Sequence, residues 1–276
     1  MPGLRGIPRI GESTDRTLGY DAGQPSDPLS LGLVAAQQEN LSNIGEISAP
    51  TPSGERVVRV WDLPTRVFHW ALVVALIAQV TTGKIGGGAL TWHLRIGYCI
   101  FALIVFRLVW GFVGGHWSRF SSFVYGPASV LRYLRNRRVA SDVFHVGHNP
   151  LGSASVFAML AILMVQVATG LVADDEIATT GPLNRFVSTP FGLSATAWHK
   201  GAGLAIILTL VVLHVVAVMF YRVRKRQDLI GPMFSGDKRL PAAVPGSVDD
   251  RMSRMRALAI IVVSAGLVAA VVKLGG

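Results

Sequence analysis

Histidines are the residues of this sequence whose positions most clearly suggest chemistry. The chain has seven, and four of them fall within or at the edge of long apolar runs: His69, His93, His199 and His214. Ionisable side chains are costly in such surroundings, and those that occur there usually serve a function. An imidazole can bind a metal or relay protons. These four histidines are therefore the candidate functional residues.

The remaining ligand-type residues suggest less. His116, His145 and His148 lie among arginines in one predicted loop, and we interpret them as solvated loop residues, with contact to a partner or a quinone as the alternative. The single cysteine, Cys99, lies inside an apolar run, so the chain can form no internal disulfide and no thiolate metal cluster. The sequence has no C-x-x-C-H motif, which excludes covalent haem attachment.

Five long apolar runs must position the histidines. They cover residues 67–82, 94–113, 151–172, 197–221 and 257–272. Each is close to the ~20 residues with which an α-helix crosses ~30 Å of hydrocarbon. The composition agrees, with 51% hydrophobic and only 15% charged residues. We therefore predict an all-α membrane protein: a four-helix transmembrane bundle followed by a fifth, C-terminal transmembrane helix.

The spacing of the runs predicts four segments. Residues 1–55 are rich in Gly, Pro, Ser and acidic residues without periodicity, which predicts a disordered cytoplasmic extension rather than a signal peptide. Residues 56–235 form the four-helix domain. Residues 236–256 are predicted to be a cytoplasmic linker, and residues 257–276 the fifth helix.

The positive charges indicate how the chain is oriented. A net charge of +10 could suggest a nucleic-acid partner, but the lysines and arginines cluster at the ends of apolar runs, which favours membrane topology and no nucleic acid. The basic loops follow the second and fourth runs: Arg119, Arg132, Arg135, Arg137 and Arg138, then Arg222, Arg224, Lys225 and Arg226. The positive-inside rule then places the N-terminus in the cytoplasm.

With this topology the histidines form two pairs at two depths. His93 and His199 lie near the outer face, and we call them the outer pair. His69 and His214, the inner pair, lie near the cytoplasmic face. Fifteen residues of helix rise ~22 Å and end only ~60° from their starting direction, so the fourth helix can present both of its histidines to the bundle interior. Two imidazoles on opposite sides of a flat macrocycle predict a bis-histidine haem at each level.

Other interpretations stay open. A lone histidine in a membrane helix is commonly a packing or proton-relay residue, and a metal-ion site would need further ligands, although no carboxylate lies within the runs. Glycines add support, because Trp92-His93 is followed by Gly97 and Trp198-His199 by Gly203. A glycine one turn from a ligand lets a macrocycle approach the backbone, although glycines also let membrane helices pack closely.

A second short echo links the first and third runs. Residues 79–83 read Q-V-T-T-G, and residues 166–170 read Q-V-A-T-G. This echo suggests that the first two helices are a distant copy of the next two, in the same membrane sense.

Residues 60–70, V-W-D-L-P-T-R-V-F-H-W, resemble the entry segment of the bacterial cytochrome b-561 and nickel-iron hydrogenase b-subunit family. Trp92-His93, Gly181-Pro182-Leu183, Trp198-His199 and His214 fall at corresponding places, so the resemblance covers about residues 56 to 235. It implies a four-helix diheme core in the bacterial inner membrane, with two non-covalent b-type haems. The same four histidines would be their axial ligands. Electrons would pass between quinone and a periplasmic redox partner.

Charged residues near the histidines suggest contacts with the haems and with partners. Arg95 and Lys200 could pair with propionates at the outer level, and Arg66 and Arg222 at the inner level, unless they only snorkel to the interface. The predicted outer loop at residues 173–196 has an acidic start that could dock a cationic partner such as a soluble c-type cytochrome.

Three functions are compatible with the sequence. The first is a diheme electron-transfer subunit between the quinone pool and a periplasmic redox protein, such as a c-type cytochrome or a hydrogenase-like enzyme. The second is a self-sufficient superoxide:quinone oxidoreductase, which the acidic outer loop disfavours because superoxide is an anion. The third is a haem-free channel or transporter whose histidines relay protons.

Overall fold

The computed structural model describes residues 54–135, 146–177, 179–241 and 243–275. Almost all of the predicted extension at residues 1–55 lies outside these ranges, as does His145. Five helical stretches within them are long and apolar enough to span a membrane: Leu63–Ile85, Gly87–Val113, Pro150–Leu171, Thr189–Arg224 and Arg251–Lys273. The predicted class of fold, a helical membrane bundle with a fifth helix, is confirmed.

The helices are numbered along the chain. The long ones are α1 (Leu63–Ile85), α2 (Leu90–Val113), α4 (Pro150–Leu171), α5 (Thr189–Trp198), α6 (Leu204–Arg224) and α8 (Arg251–Lys273). Two short helices, α3 (Pro127–Leu134) and α7 (Gly231–Ser235), lie between them.

Helix starts are fixed by polar caps that precede the apolar runs. Asp62 accepts a hydrogen bond from the backbone N–H of Thr65 at the start of α1, and Asn149 and Asp250 cap α4 and α8 in the same way. Such caps satisfy backbone donors that the first helical turn leaves free. Helix α1 therefore begins four residues, and α8 six residues, before the apolar runs from which they were predicted.

The fourth span differs most from its prediction. It runs from Thr189 to Arg224, with a π-helical turn at His199–Gly203 between α5 and α6. The outer loop predicted at residues 173–196 therefore ends at Ser188, because α5 begins with Thr189 and has a proline in its first turn. His199 does not open the span, as predicted, but lies ten residues inside it.

Helix α2 is the centre of the bundle, since it packs against α1, α4 and α8. One end of the bundle has an aromatic core that includes Phe68, Phe106, Trp110, Phe120 and Phe123. Helix α8 packs along α2 and buries small residues, among them Ser253, Ala257 and Ser264. The fifth helix is thus part of the bundle.

A small antiparallel sheet joins the two ends of the four-helix domain. Strand β1 (Glu55–Arg59) pairs with β2 (Asp237–Pro241), with Val57 opposite Arg239. Arg59 reinforces the pairing through ion pairs with Asp237 at 2.8 Å and Asp249 at 3.2 Å. The segment predicted as a linker, residues 236–256, therefore contains β2, and α8 begins at Arg251, six residues before the predicted start of the fifth helix.

The Asp62 side chain joins the start of α1 to the end of α2. Its buried carboxylate accepts hydrogen bonds from the backbone N–H of Thr65 at 2.8 Å and of Gly115 at 2.9 Å. The indole Nε1 of Trp110 donates to the same carboxylate at 3.3 Å. One side chain therefore satisfies three buried donors, which lie at the start of α1, within α2 and just after the end of α2.

Candidate functional site

The structure brings the four membrane histidines together in two pairs. The ring centres of His93 on α2 and His199 in the π-turn are 6.0 Å apart. Those of His69 on α1 and His214 on α6 are 6.5 Å apart. Two imidazoles that bind one metal atom from opposite sides, each with a metal–nitrogen bond of ~2 Å, have ring centres ~6 Å apart. Both pairs therefore fit a single metal atom between the rings.

The space around each pair suits a flat group. In the described part of the chain, the two helices that carry each pair are not extensively packed on one another. The described residues also contain no cluster of three or more His, Cys, Asp or Glu side chains that could hold a metal ion. Two ligands per site are too few for a zinc shell, but they are sufficient where a macrocycle supplies the remaining ligands.

Backbone carbonyls orient both rings of the outer pair. His93 Nδ1 lies 3.0 Å from the carbonyl oxygen of Gln79, and His199 Nδ1 lies 2.9 Å from that of Gln166. Because a carbonyl only accepts, each Nδ1 must be the donor, which leaves the lone pair of the neutral ring on Nε2. The Nε2 atom of His93 here accepts a hydrogen bond from the Gln79 amide at 3.1 Å. This arrangement is typical of histidines that bind a metal through Nε2.

The two glutamines explain the Q-V-T-T-G and Q-V-A-T-G echo. Each echo places its glutamine carbonyl behind a histidine of the following helix, and its glycine against the same imidazole. A Cβ atom on Gly83 would lie 3.0 Å from His93 Cε1, and one on Gly170 would lie 2.9 Å from His199 Cε1. The outer pair is therefore built from two similar halves.

The two glycines predicted to face a macrocycle, Gly97 and Gly203, adjoin the glutamine side chains of the outer site. A Cβ atom on Gly97 would lie 3.2 Å from Gln79 Nε2, and one on Gly203 would lie 2.2 Å from Gln166 Oε1. These glycines thus make room for the two glutamine side chains that line the outer site.

A cavity of about 360 Å³ surrounds the outer pair. Its wall contains both histidines, three of the glycines described above and the side chains of Lys84, Tyr98 and Lys200. Ligand cavities in proteins are commonly of this size. The outer pair therefore has both the ligand geometry and the space for a prosthetic group.

The inner pair differs from the outer pair in its hydrogen bonds. His69 Nδ1 is buried and, within the described part of the chain, has no hydrogen-bond partner. The ring of His69 meets that of Trp70 edge-on at 5.0 Å, and Trp70 stacks on Phe234 of α7 at 4.5 Å. The indole Nε1 of Trp70 also donates to the carbonyl of Met233 at 3.2 Å. Helix α7 therefore closes the bundle beside the inner pair.

The four basic residues predicted to meet propionates are placed differently from one another. Only Lys200 lines the cavity of the outer pair. Arg95 is exposed and lies over the ring of Trp92, 5.2 Å from its centre. Arg66 donates to the carbonyl of Phe234 and lies 3.8 Å from Asp249, and Arg222 is exposed, 3.7 Å from Asp228.

Two basic residues near the inner pair were not identified from the sequence. His148 is not the solvated loop residue of the sequence prediction, because its ring lies 4.8 Å from both Trp61 and Phe123. Arg107 is 4% exposed, with its guanidinium 4.7 Å from the ring centre of Phe120. An arginine inside an apolar run was a usable signal for Arg107. His148 is buried by residues distant in sequence, which no local pattern reveals.

Several proteins of known type are similar to this chain. A probable Ni/Fe-hydrogenase B-type cytochrome subunit from Bradyrhizobium diazoefficiens is 25% identical over 248 residues, which cover 75% of this chain and 98% of the relative. Its namesake from Cupriavidus necator is 28% identical over 240 residues, with the same two coverages. The probable Ni/Fe-hydrogenase 1 B-type cytochrome subunit of Escherichia coli (strain K12) is 22% identical over 212 residues, covering 64% of this chain and 88% of the relative.

No solved structure matches the chain significantly. The family model described as prokaryotic cytochrome b561 matches residues 60–236, which is more than half of the chain. The matched segment contains all four paired histidines and agrees with the predicted extent of the resemblance. The chain therefore belongs to the prokaryotic cytochrome b561 family.

Proposed function

We propose that this membrane b-type cytochrome binds two haems and carries electrons between a periplasmic redox enzyme and quinone. The observation that carries the proposal is the ring-centre spacing of 6.0 Å in one histidine pair and 6.5 Å in the other. His199 and His214 lie in one continuous span, fifteen residues apart, which corresponds to ~22 Å of helix rise. The two pairs therefore suit two electron carriers at different depths.

The chain's own residues would hold and orient these groups. Each haem, when bound, supplies a one-electron carrier. The histidines of each pair would supply both protein ligands of the iron, which would leave no open site for oxygen or peroxide chemistry. The carbonyls of Gln79 and Gln166 fix the ring orientation of the outer ligands and make them better electron donors. Electron transfer rather than catalysis on a small substrate follows from this ligation.

The proposed orientation in the bacterial inner membrane rests on charge. Basic residues such as Arg132 and Arg224 follow α2 and α6, whereas Asp174 and Asp175 follow α4 at the other end of the bundle. The positive-inside rule favours a cytoplasmic N-terminus and places the outer pair near the periplasm. Because the relatives are named as hydrogenase subunits, we propose a hydrogenase-like periplasmic enzyme as the partner, with a c-type cytochrome as the alternative.

Haem content and quinone reduction test this function together. The purified wild-type chain is expected to contain about two haems, measured as the pyridine haemochrome against protein concentration. In proteoliposomes, the dithionite-reduced protein should be reoxidised by a short-chain quinone. A colourless protein would contradict the proposal and favour the histidine proton relay instead. One haem per chain would contradict the diheme assignment.

Gly170→Ala is expected to weaken the outer site selectively. The new Cβ atom would lie 2.9 Å from Cε1 of His199, so the ring would have to move away from the carbonyl that orients it. We expect at least half of the outer haem to be lost on purification, with the inner haem retained. Gly201→Ala is the matched control, because a Cβ atom there has nothing within 4 Å. Equal haem content in the two variants would contradict the role of Gly170.

A further inference from the structure

Besides Nδ1 of His69 and Nε of Arg66, two further buried nitrogen atoms near the inner pair have no hydrogen-bond partner in the described residues. They are Nη1 of Arg107 and Nδ1 of His148, and neither has a protein partner anywhere in the described ranges. Burying an unpaired polar group costs free energy, and a buried guanidinium without an anion costs more. The unpaired guanidinium nitrogen needs an acceptor, and the neutral ring of His148 can donate to the same acceptor from Nδ1.

The two residues belong to one structural cluster. The guanidinium of Arg107 lies over the ring of Phe120, and the ring of His148 packs on Phe123. The centres of these two phenylalanine rings are 5.9 Å apart. The side chains of Arg107 and His148 therefore flank the same aromatic pair.

This cluster adjoins the inner histidines. Phe68, next to His69 in the chain, packs on Phe106, next to Arg107, with ring centres 6.3 Å apart. His148 also lies within electrostatic range of the histidines of the inner pair. Arg107 and His148 are thus at the edge of the inner site.

The electrostatics of the cluster call for an anion. Burial lowers the pKa of His148 to about 3, and the positive charges of Arg107 and Lys238 contribute to this shift. The carboxylate of Asp62 lies within electrostatic range of Arg107 but already accepts hydrogen bonds from three other donors. Lys238 donates to the carbonyl of Val146 at 3.1 Å. The cationic groups of the cluster are therefore Arg107 and Lys238, and among the described residues no carboxylate is in contact with Arg107 or His148.

We propose that Arg107 and His148 bind the propionate carboxylates of the inner haem. The proposal rests on the proposed function, since it needs a haem between His69 and His214. Propionates are the negatively charged groups of this cofactor, and a guanidinium is the side chain best suited to a carboxylate. The two residues take the role that the sequence suggested for Arg66 and Arg222. The terminal nitrogens of Arg66 contact Phe234 and Asp249, which leaves its buried Nε unpaired, and Arg222 lies near Asp228.

Redox titration of Arg107→Gln tests the charge interaction. Arg107 offsets the negative charge of a propionate, and without it that charge stabilises the oxidised iron. We expect the reduction equilibrium of the inner haem to shift at least tenfold towards the oxidised form, which is 59 mV for one electron. The outer haem should keep its potential. Arg107→Lys, which retains the charge, should lie near wild type, and Arg132→Gln, an exposed arginine, is the control.

A second measurement detects the carboxylates themselves. Apoprotein reconstituted with haem dimethyl ester lacks both propionate charges, so the difference in inner potential between wild type and Arg107→Gln should shrink at least threefold. Haem transfer to apomyoglobin should release the inner haem of His148→Ala at least threefold faster than that of wild type. His116→Ala is the matched control, because His116 lies at the same end of the bundle but contacts Trp117 and Arg119.

Wild-type measurements separate failure of this inference from failure of the proposed function. Absence of a haem that depends on His214 would overturn both. Two wild-type haems with an inner potential unchanged in Arg107→Gln would overturn the propionate contacts and leave the diheme function standing. A difference between wild type and Arg107→Gln that persists unchanged with the dimethyl ester would also overturn the contacts. It would mean that Arg107 acts on the iron without a propionate.

Discussion

His199→Ala and His93→Ala are expected to lose the same haem, and His69→Ala and His214→Ala the other. Each alanine removes one of the two protein bonds to an iron, so the affected site keeps a single imidazole ligand. The haem content should fall from about two to about one per chain in each variant. Reduced-minus-oxidised spectra and redox titration would then show one remaining centre, with the same potential for the two members of a pair.

The double variants make this result decisive. His93→Ala combined with His199→Ala should still hold about one haem, whereas His93→Ala combined with His214→Ala should hold none. His116→Ala serves as the control, since that histidine belongs to neither pair. If His199→Ala and His69→Ala removed the same centre, the pairing by depth would be wrong.

Asp62→Ala is expected to destabilise the whole bundle by about 3–7 kcal/mol. The substitution removes the cap of α1, which is worth ~1 kcal/mol, and leaves the buried donors of Trp110 and Gly115 unpaired, at ~1–3 kcal/mol each. Thermal unfolding in detergent, followed by circular dichroism, would measure the loss. Asp62→Asn can still accept hydrogen bonds and should be intermediate.

Asp228→Ala is the matched control for this prediction. The side chain of Asp228 is 57% exposed, lies 3.7 Å from Arg222 and accepts exposed hydrogen bonds from the backbone N–H groups of Ile230 and Gly231. Its removal should therefore lower the free energy of unfolding by only about 1 kcal/mol. Similar stability of Asp62→Ala and Asp228→Ala would show that the buried hydrogen bonds of Asp62 do not hold α1 and α2 together.

The apolar runs were sufficient to predict the helices but not their ends. Hydropathy reports where a chain can be buried, whereas a cap such as Asp62 or Asp250 lies outside the apolar run and acts through the backbone. The strands β1 and β2 were not predicted because each has only five residues, and because they are joined across almost the whole length of the domain. The two histidine pairs were predicted only from the depth of each histidine in the membrane. This depth follows directly from the position of the residue along its apolar run.

The surroundings of the pairs could not be predicted in the same way. Gln79 and Gln166 were noticed only as parts of an echo, and their carbonyl contacts depend on how neighbouring helices pack. His148 looked solvated because its near neighbours in the sequence are polar, yet Trp61 and Phe123 cover it. Such contacts arise between distant parts of the chain, and a single sequence carries no direct record of them.

The π-turn at His199–Gly203 lies between the two histidines of the fourth span. The number of residues in this turn therefore affects the rotation around the helix axis from His199 to His214. Each bond of a π-turn closes over one residue more than that of an α-turn, so the turn acts as a one-residue insertion in the fourth span. One residue corresponds to about 100° of rotation around a helix. The angle around the helix axis between His199 and His214 is thus set by the number of residues in the turn, and the insertion or deletion of one residue there would change it by about 100°.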